Sequence, residues 1–306
     1  MLDPKQTEAL LAVAETGSFE SAANRLNITA SAVSQRVRTL EISLGHALLL
    51  RTRPVRPTQT GRRLLQYLRR QALLQAELAA ELAHHADAPL TLPLAVNADS
   101  LATWFFPAMA GVLNDTSVHL ELSVEDQDHT YALLESGLVA GCVSTEAISM
   151  RGCTAEPLGA MRYRLVSTAN FQRRWFPRGL TRATAARAPI VAYTPKDRLP
   201  TQFLSQRFGL LPGAYPCHHV PGAEAHLAAV LWELGYALAP EILLAQHAAQ
   251  LIDLAPDHPV DVSLYWHRWN VQSPRMDSIS RQLVAAARQS LDQHLIQAAP
   301  DLQSPP

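Results

Sequence analysis

The stretch SFESAANRLNITASAVSQRVRTLE, residues 18–41, leaves the chain little freedom of fold. Ser18 opens one short helical segment, Asn27-Ile28-Thr29 makes a tight turn, and Thr29 opens a second, longer helix. Ala22 and Ala23 are small enough to let a neighbouring helix approach. At 100° per residue, Val33, Val37, Leu40 and Leu44 share one narrow sector of the second helix. Ser31, Gln35 and Arg38 lie opposite, with Ser34 on the flank. An earlier helix is marked by the start Asp3-Pro4 and the stop Gly17. Two helices joined by a tight turn, the second with a polar outer face, form a helix-turn-helix pattern. Such a face fits a major groove, where Ser, Gln and Arg can read base edges; a solvated helix face has the same pattern.

The next segment, GHALLLRTRPVRPTQTG (45–61), reads as a short β-hairpin, or wing. Arg51, Arg53 and Arg56 along it are placed to hold phosphates, with Thr52, Thr58 and Thr60 as neutral donors. Charge supports this reading. Residues 1–70 carry 11 Lys and Arg against 5 Asp and Glu, whereas the whole chain of 306 residues is nearly neutral at −1. A basic head on an acidic body points to a polyanion met by the head alone.

Residues 60–86 form one long helical pattern. Leu64, Leu68, Leu78 and Leu82, with Ala72, Ala76 and Ala79, make a wide apolar stripe, better explained by dimerisation than by burial in a core. ADAPLTLP follows as a hinge. From residue 90 strand-like and helix-like pieces alternate, which implies α/β layers with mainly parallel sheets.

Other chemistries find no support in the sequence. There is no nucleophile elbow, no phosphate-cradling glycine loop and no His-Glu-x-x-His. Cys217-His218-His219 lacks a fourth ligand and reads as a strand. Trp232, Trp266 and Trp269 read as core or interface. Three scattered cysteines, the absence of a secretory signal and the absence of an 18-residue apolar run point to a cytoplasmic protein that does not enter a membrane.

Residues 19–61 resemble the winged helix-turn-helix head of LysR-type transcriptional regulators. Ala22-Ala23, Leu26, Ser31, Ser34, Leu40-Glu41, Leu44-Gly45, Leu48-Leu49, Arg51 and Thr58-Gly61 carry the likeness. LAVNADSLATWFFPAM, VEDQDHT, PCHHV and LYWHR resemble the subgroup that controls export of arginine and lysine. Ala30 departs from the pattern, which usually has Gln there; a methyl can touch a thymine methyl but cannot make a bidentate adenine contact.

The resemblance implies an N-terminal all-α winged helix-turn-helix (1–60), a dimerising linker helix (61–86), a hinge (87–91) and a C-terminal α/β effector domain (92–300). That domain would comprise two periplasmic-binding-protein-like subdomains, 92–163 with 265–300 and 164–264, holding a small ligand between them. It further implies a non-enzymatic regulator without cofactor, a double-stranded DNA operator, lysine or arginine as effector, an exporter gene as target, a homodimer or homotetramer, and RNA polymerase as a possible partner. Another small metabolite, or a nucleoid-type role with little sequence preference, are the alternatives. The expected DNA contacts are Ser18, Ala30, Ser31, Ser34, Gln35, Arg36, Arg38, Arg51, Arg53, Arg56 and Thr58.

For the effector, the first body strand ends at Asn97-Ala98-Asp99-Ser100-Leu101, where a helix N-terminus can accept a carboxylate and Ser100 can donate. Asp99 or Ser100 could equally just cap the helix. Ser144-Thr145 ends another strand. The expectation is Ser100 and Ser144 at the ligand's α-groups and Asp126 or Asp99 at its basic end, with Leu101, Thr145 and His218 as further contacts.

Overall fold

The computed structural model describes residues 2–82, 90–114, 118–125, 130–272 and 274–291. They form two compact units: the residues up to 90 together with 132–140, and the remainder.

The first unit starts with α1 (Pro4–Thr16), α2 (Phe19–Leu26) and α3 (Ala30–Leu44). The caps expected from sequence are formed. Asp3 accepts from Lys5 and Gln6 N–H, Ser18 from Ser21 and Thr29 from Ala32. Gly17 and Gly45 adopt the left-handed conformation that ends α1 and α3. Leu10, Val13, Ala22, Val33, Val37 and Leu40 are buried in one core with Leu48 and Leu65. Leu44, expected in that core, is exposed, because it sits on the last turn of α3, where the helix runs past the packing.

The wing is the antiparallel pair β1 (Leu49–Leu50) and β2 (Arg56–Pro57). Glu41 ties it to α3, its Oε1 accepting from Leu48 N–H (2.7 Å) and Leu49 N–H (3.2 Å). α4 (Gln59–Leu82) follows. Gly61 is required at its start, since a Cβ there would lie 2.0 Å from the Leu48 carbonyl oxygen. Leu65 and Leu68 face the head core, whereas Tyr67, Leu74 and Leu78 are exposed. Of the hinge predicted at 87–91, residues 87–89 lie outside the described residues, and 90–91 already belong to a strand. Arg69 donates to the Ser136 carbonyl (2.8 Å), joining 132–140 to α4.

After α4 the chain runs β3 (Leu90–Val96), α5 (Ala98–Ser100), a π-helical turn Leu101–Phe105, α6 (Phe106–Leu113), β4 (Val118–Val124), α7 (Thr130–Glu135), whose residues from 132 on belong to the first unit, β5 (Gly141–Ser144) and β6 (Cys153–Thr168). There follow α8 (Ala169–Trp175), α9 (Arg182–Ala185), β7 (Ile190–Ala192), α10 (Leu199–Phe208), β8 (Cys217–His219), α11 (Ala223–Leu231), β9 (Ala237–Pro240), α12 (Glu241–Leu244), β10 (Leu251–Asp253), β11 (Val260–Trp269) and α13 (Pro274–Ser290).

A seven-stranded sheet has the order β10-β6-β11-β5-β3-β4, with β9 also on β6; β7 and β8 make a separate parallel pair. The expectation of mainly parallel sheets is corrected here. β6 and β11 pair antiparallel along their length, and β5, β9 and β10 join them antiparallel, so the sheet is mixed. Pro157 and Gly159 interrupt the alternation over 153–168, so the sequence pattern there does not mark β6 as a strand. The register slips between Leu264 and Tyr265, opposite Gly159 and Pro157. On one side of this bulge β11 pairs with β5; on the other, β6 continues to β9 and β10. Trp266 and Trp269 are buried as expected of core residues, but Trp232 is 86% exposed.

Candidate functional site

On α3, Ser31, Gln35 and Arg38 are exposed, and Ser34 and Arg36 half-buried. Arg51, Arg53 and Arg56 are exposed on the wing, with the Arg51 guanidinium 5.6 Å above the Phe19 ring. Two expected contacts have other duties. Thr58 donates to the Ala47 carbonyl (2.8 Å) and accepts from Gly61 N–H (3.0 Å), so its hydroxyl fixes the start of α4. Ser18 donates to Glu20 (2.7 Å) while capping α2. Ala30 is half-buried against the head core. Exposed cations on a wing beside a polar helix face can hold phosphates while the helix reads base edges.

In the second unit a cavity of about 600 Å³ opens at the carboxyl end of β3. Asn97 and Asp99 line it from the turn after β3, Tyr163 from β6, and residues 193–200 from the segment after β7. This size suits a small metabolite. A second recess of about 750 Å³ shares Thr145, Pro195, Lys196, Asp197 and Arg198 with it, and adds Ser144 and Glu146.

Asp99 is the chemical centre of the cavity. It is only 6% exposed. Tyr163 donates to its Oδ2 at 2.7 Å, and Tyr193 donates to its Oδ1. Burial pushes its pKa up from 3.8 to about 6, the two tyrosine bonds pull it back, and nearby Asp197 pushes it up again. His226 stacks flat on Tyr193, with ring centroids 4.5 Å apart and planes within 8°. Burial pushes the His226 pKa down to about 4, so a neutral ring backs the site.

The other carboxylates lining this cavity differ. Asp261 is forked by Arg162 at 2.8 and 3.1 Å. Asp197 accepts from the backbone of Tyr193 (3.1 Å) and Leu199 (3.0 Å), fixing its own loop. Glu125 is exposed. Asp99 alone of these four is both buried and held by uncharged donors.

Thr145 lines the cavity with Asp99. Ser144 lines the second recess, and its Oγ accepts from Glu146 N–H at 3.1 Å. Ser100 is fully buried and, like Leu101, is not among the lining residues of either cavity. His218 is exposed on β8, away from both linings. Asp126 lies outside the described residues. Sequence reasoning missed Tyr163, Tyr193 and His226. Tyr193 directly follows the strand β7, and the rule that ligands gather at strand carboxyl ends could have found it; Tyr163 sits on the unrecognised β6. Among the described residues no group of His, Cys, Asp and Glu is arranged to hold a metal ion. No helix among them is long and apolar enough to cross a membrane.

A bacterial regulatory helix-turn-helix family, lysR, matches residues 4–62, and the LysR substrate binding domain matches residues 89–288. The chain belongs to the LysR family: it is a DNA-binding transcriptional regulator with an effector-type second domain, not an enzyme. It is 42% identical to the HTH-type transcriptional regulator ArgP of Aeromonas salmonicida over 293 residues, 95% of this chain and 98% of that one. Among solved structures it is similar to ArgP from Mycobacterium tuberculosis, with a TM-score of 0.82, 38% identity and coverage of 96% and 100% of the two chains. It is also similar to full-length LysG from Corynebacterium glutamicum with bound effector Arg, with a TM-score of 0.76, 36% identity and coverage of 95% and 99%.

Proposed function

We propose that this chain is a cytoplasmic regulator that senses arginine or lysine in the cavity at Asp99 and controls an exporter gene for basic amino acids. The observation that carries the reading is Asp99: a buried carboxylate, held by two tyrosine hydroxyls on the wall of a cavity of metabolite size. Such a group has been desolvated at a cost, and a cationic ligand offsets that cost. The relative LysG, solved with bound effector Arg, supports the same ligand class.

In this reading α3 enters the major groove through Ser31, Ser34, Gln35 and Arg38, while Arg51, Arg53 and Arg56 hold phosphates. The exposed apolar residues of α4 pair two chains, so that two heads engage a two-fold operator. Effector binding then shifts the equilibrium between placements of the heads on DNA.

A thermal-shift screen against all twenty amino acids tests the effector. Arginine and lysine should raise the melting temperature and the neutral amino acids should not, since a ligand bound only by the folded state stabilises it by mass action. Stabilisation by acidic or apolar amino acids instead would refute the assignment.

A further inference from the structure

Residues 169–192, ANFQRRWFPRGLTRATAARAPIVA, hold five arginines and no acidic residue. Beyond residue 70 the chain is otherwise acidic, with 15 Lys and Arg against 22 Asp and Glu in all. The fold sorts the segment into two sides. Phe171, Phe176, Ala185 and Ala188 are buried, and the rings of Phe171 and Phe176 lie 6.3 and 5.3 Å from that of Tyr236. Arg173, Arg174, Arg178, Arg182 and Arg187 are all exposed.

α8, α9 and the turn between them form one block. Gly179 N–H donates to the Phe176 carbonyl (3.0 Å), and the Thr184 hydroxyl donates to the Gly179 carbonyl (3.3 Å), folding the turn onto α9. The Arg174 guanidinium lies 5.5 Å from the centre of the Trp175 ring. Among the described residues none of these five arginines is in an ion pair. By contrast Arg162, Arg164 and Arg268, on β6 and β11, each pair with carboxylates. Like charges gathered on one block repel one another, and a polyanion offsets that repulsion.

We propose that this arginine face binds the phosphate backbone of double-stranded DNA outside the half-sites that the heads read. Three features favour DNA over an acidic protein. All five cations are arginine, whose planar fork matches phosphate oxygens in pairs. None of the large exposed apolar side chains lies in this segment, so it lacks the anchors of a protein interface. The chain is already held on DNA by its head, so a second surface of the same chain meets the duplex at a raised effective concentration. Phosphate contacts carry no sequence information, so the face adds affinity and covered length without changing the operator.

The test is binding of the full-length protein to two duplexes. One carries only the two half-sites, selected by the protein itself from randomised DNA; the other extends them by about two helical turns of unrelated sequence on each side. Arg173, Arg178 and Arg187 are changed together, to Gln in one variant and to Glu in another. Arg182 and Arg174 are left in place, because Arg182 donates to the Phe208 carbonyl and Arg174 packs on Trp175. The wild-type protein should bind the long duplex about five- to tenfold more tightly, with a slope of log affinity against log salt steeper by about two or more. In the Gln variant that gain should fall within about twofold, while affinity for the short duplex stays within about twofold of the wild type's. The Glu variant should bind the long duplex no better than the short one. Equal wild-type affinities for the two duplexes would overturn the proposal, as would a Gln variant that keeps the full gain. Equal losses on both duplexes would show that the arginines act through the fold or the net charge, which also overturns it. A changed oligomeric state in gel filtration with the gain intact would assign the face to acidic residues of a second copy instead.

Discussion

Asp99 is a residue whose own ionisation works against the fold. Its folded pKa of about 6 lies above the ordinary 3.8, so the folded state holds this proton more tightly than the unfolded state does. Stability from this group is therefore full below about pH 4 and is lost as pH rises through about 6. Replacing it by Asn removes a buried charge while keeping an acceptor for one tyrosine. Asp99→Asn should match or exceed the wild-type stability at pH 7.5, by an amount on the order of 1–3 kcal/mol at most, and the gain should vanish near pH 4. The same variant should lose arginine binding. Wild-type affinity for arginine should rise from pH 5 to pH 7.5, because the cation needs the ionised form; of the groups that face Asp99, Tyr163 stays protonated, its pKa pushed far above 10 by burial. A melting temperature lower at pH 7.5 than the wild type's would show that the tyrosine bonds outweigh the buried charge. Asp99 was legible in the sequence as a residue at a strand end. Its tyrosine partners were not, because they stand 64 and 94 positions away in sequence, and only the sheet brings them together.

Individual elements were most legible where local chemistry decides them. Asp3, Ser18 and Thr29 are all seen accepting the bonds their positions promised, because a cap involves only neighbours three residues away. β6 was illegible for the opposite reason. Its pairing with β11 joins residues about a hundred apart, and non-local pairing tolerates Pro157 and Gly159 within the strand. The start of α4 shows a third case, in which a local glycine answers a non-local need. Gly61 lets the helix pass against β1, with no room between its Cα and the Leu48 carbonyl. Gly61→Ala should destabilise the head by about 1–3 kcal/mol or more, since a backbone atom cannot swing aside as a side chain does. Urea denaturation of the full chain, followed by a probe in the head, would measure it; a loss below 0.5 kcal/mol would mean that α4 and the wing separate easily.

For the molecule as a whole, charge and apolar surface divide the labour. The cations that can hold phosphates are concentrated in residues 1–70 and in the arginine face of 169–192, and the rest of the chain carries the acidic excess. In the proposed reading one head brings one helix, α3, to the major groove, and a single half-site limits affinity because phosphate contacts are few. α4 extends from that head with Tyr67, Leu74 and Leu78 exposed, spaced at seven and four residues, which is the spacing of one helix face. In the proposed dimer a second copy of the same helix covers this face without any new surface being required. Leu78 is 54% exposed within one chain, so its replacement by Glu should leave the fold of the chain intact and act on association alone. Leu78→Glu should shift the protein towards monomer in light scattering coupled to gel filtration. It should also weaken binding to a two-half-site operator at least tenfold, while binding to a single half-site stays within about twofold. The salt dependence gives an independent reading: losing one head's phosphate contacts should reduce the slope of log affinity against log salt by roughly half. Should the variant remain dimeric with an unchanged slope, the pairing surface lies elsewhere and the apolar face of α4 serves another contact.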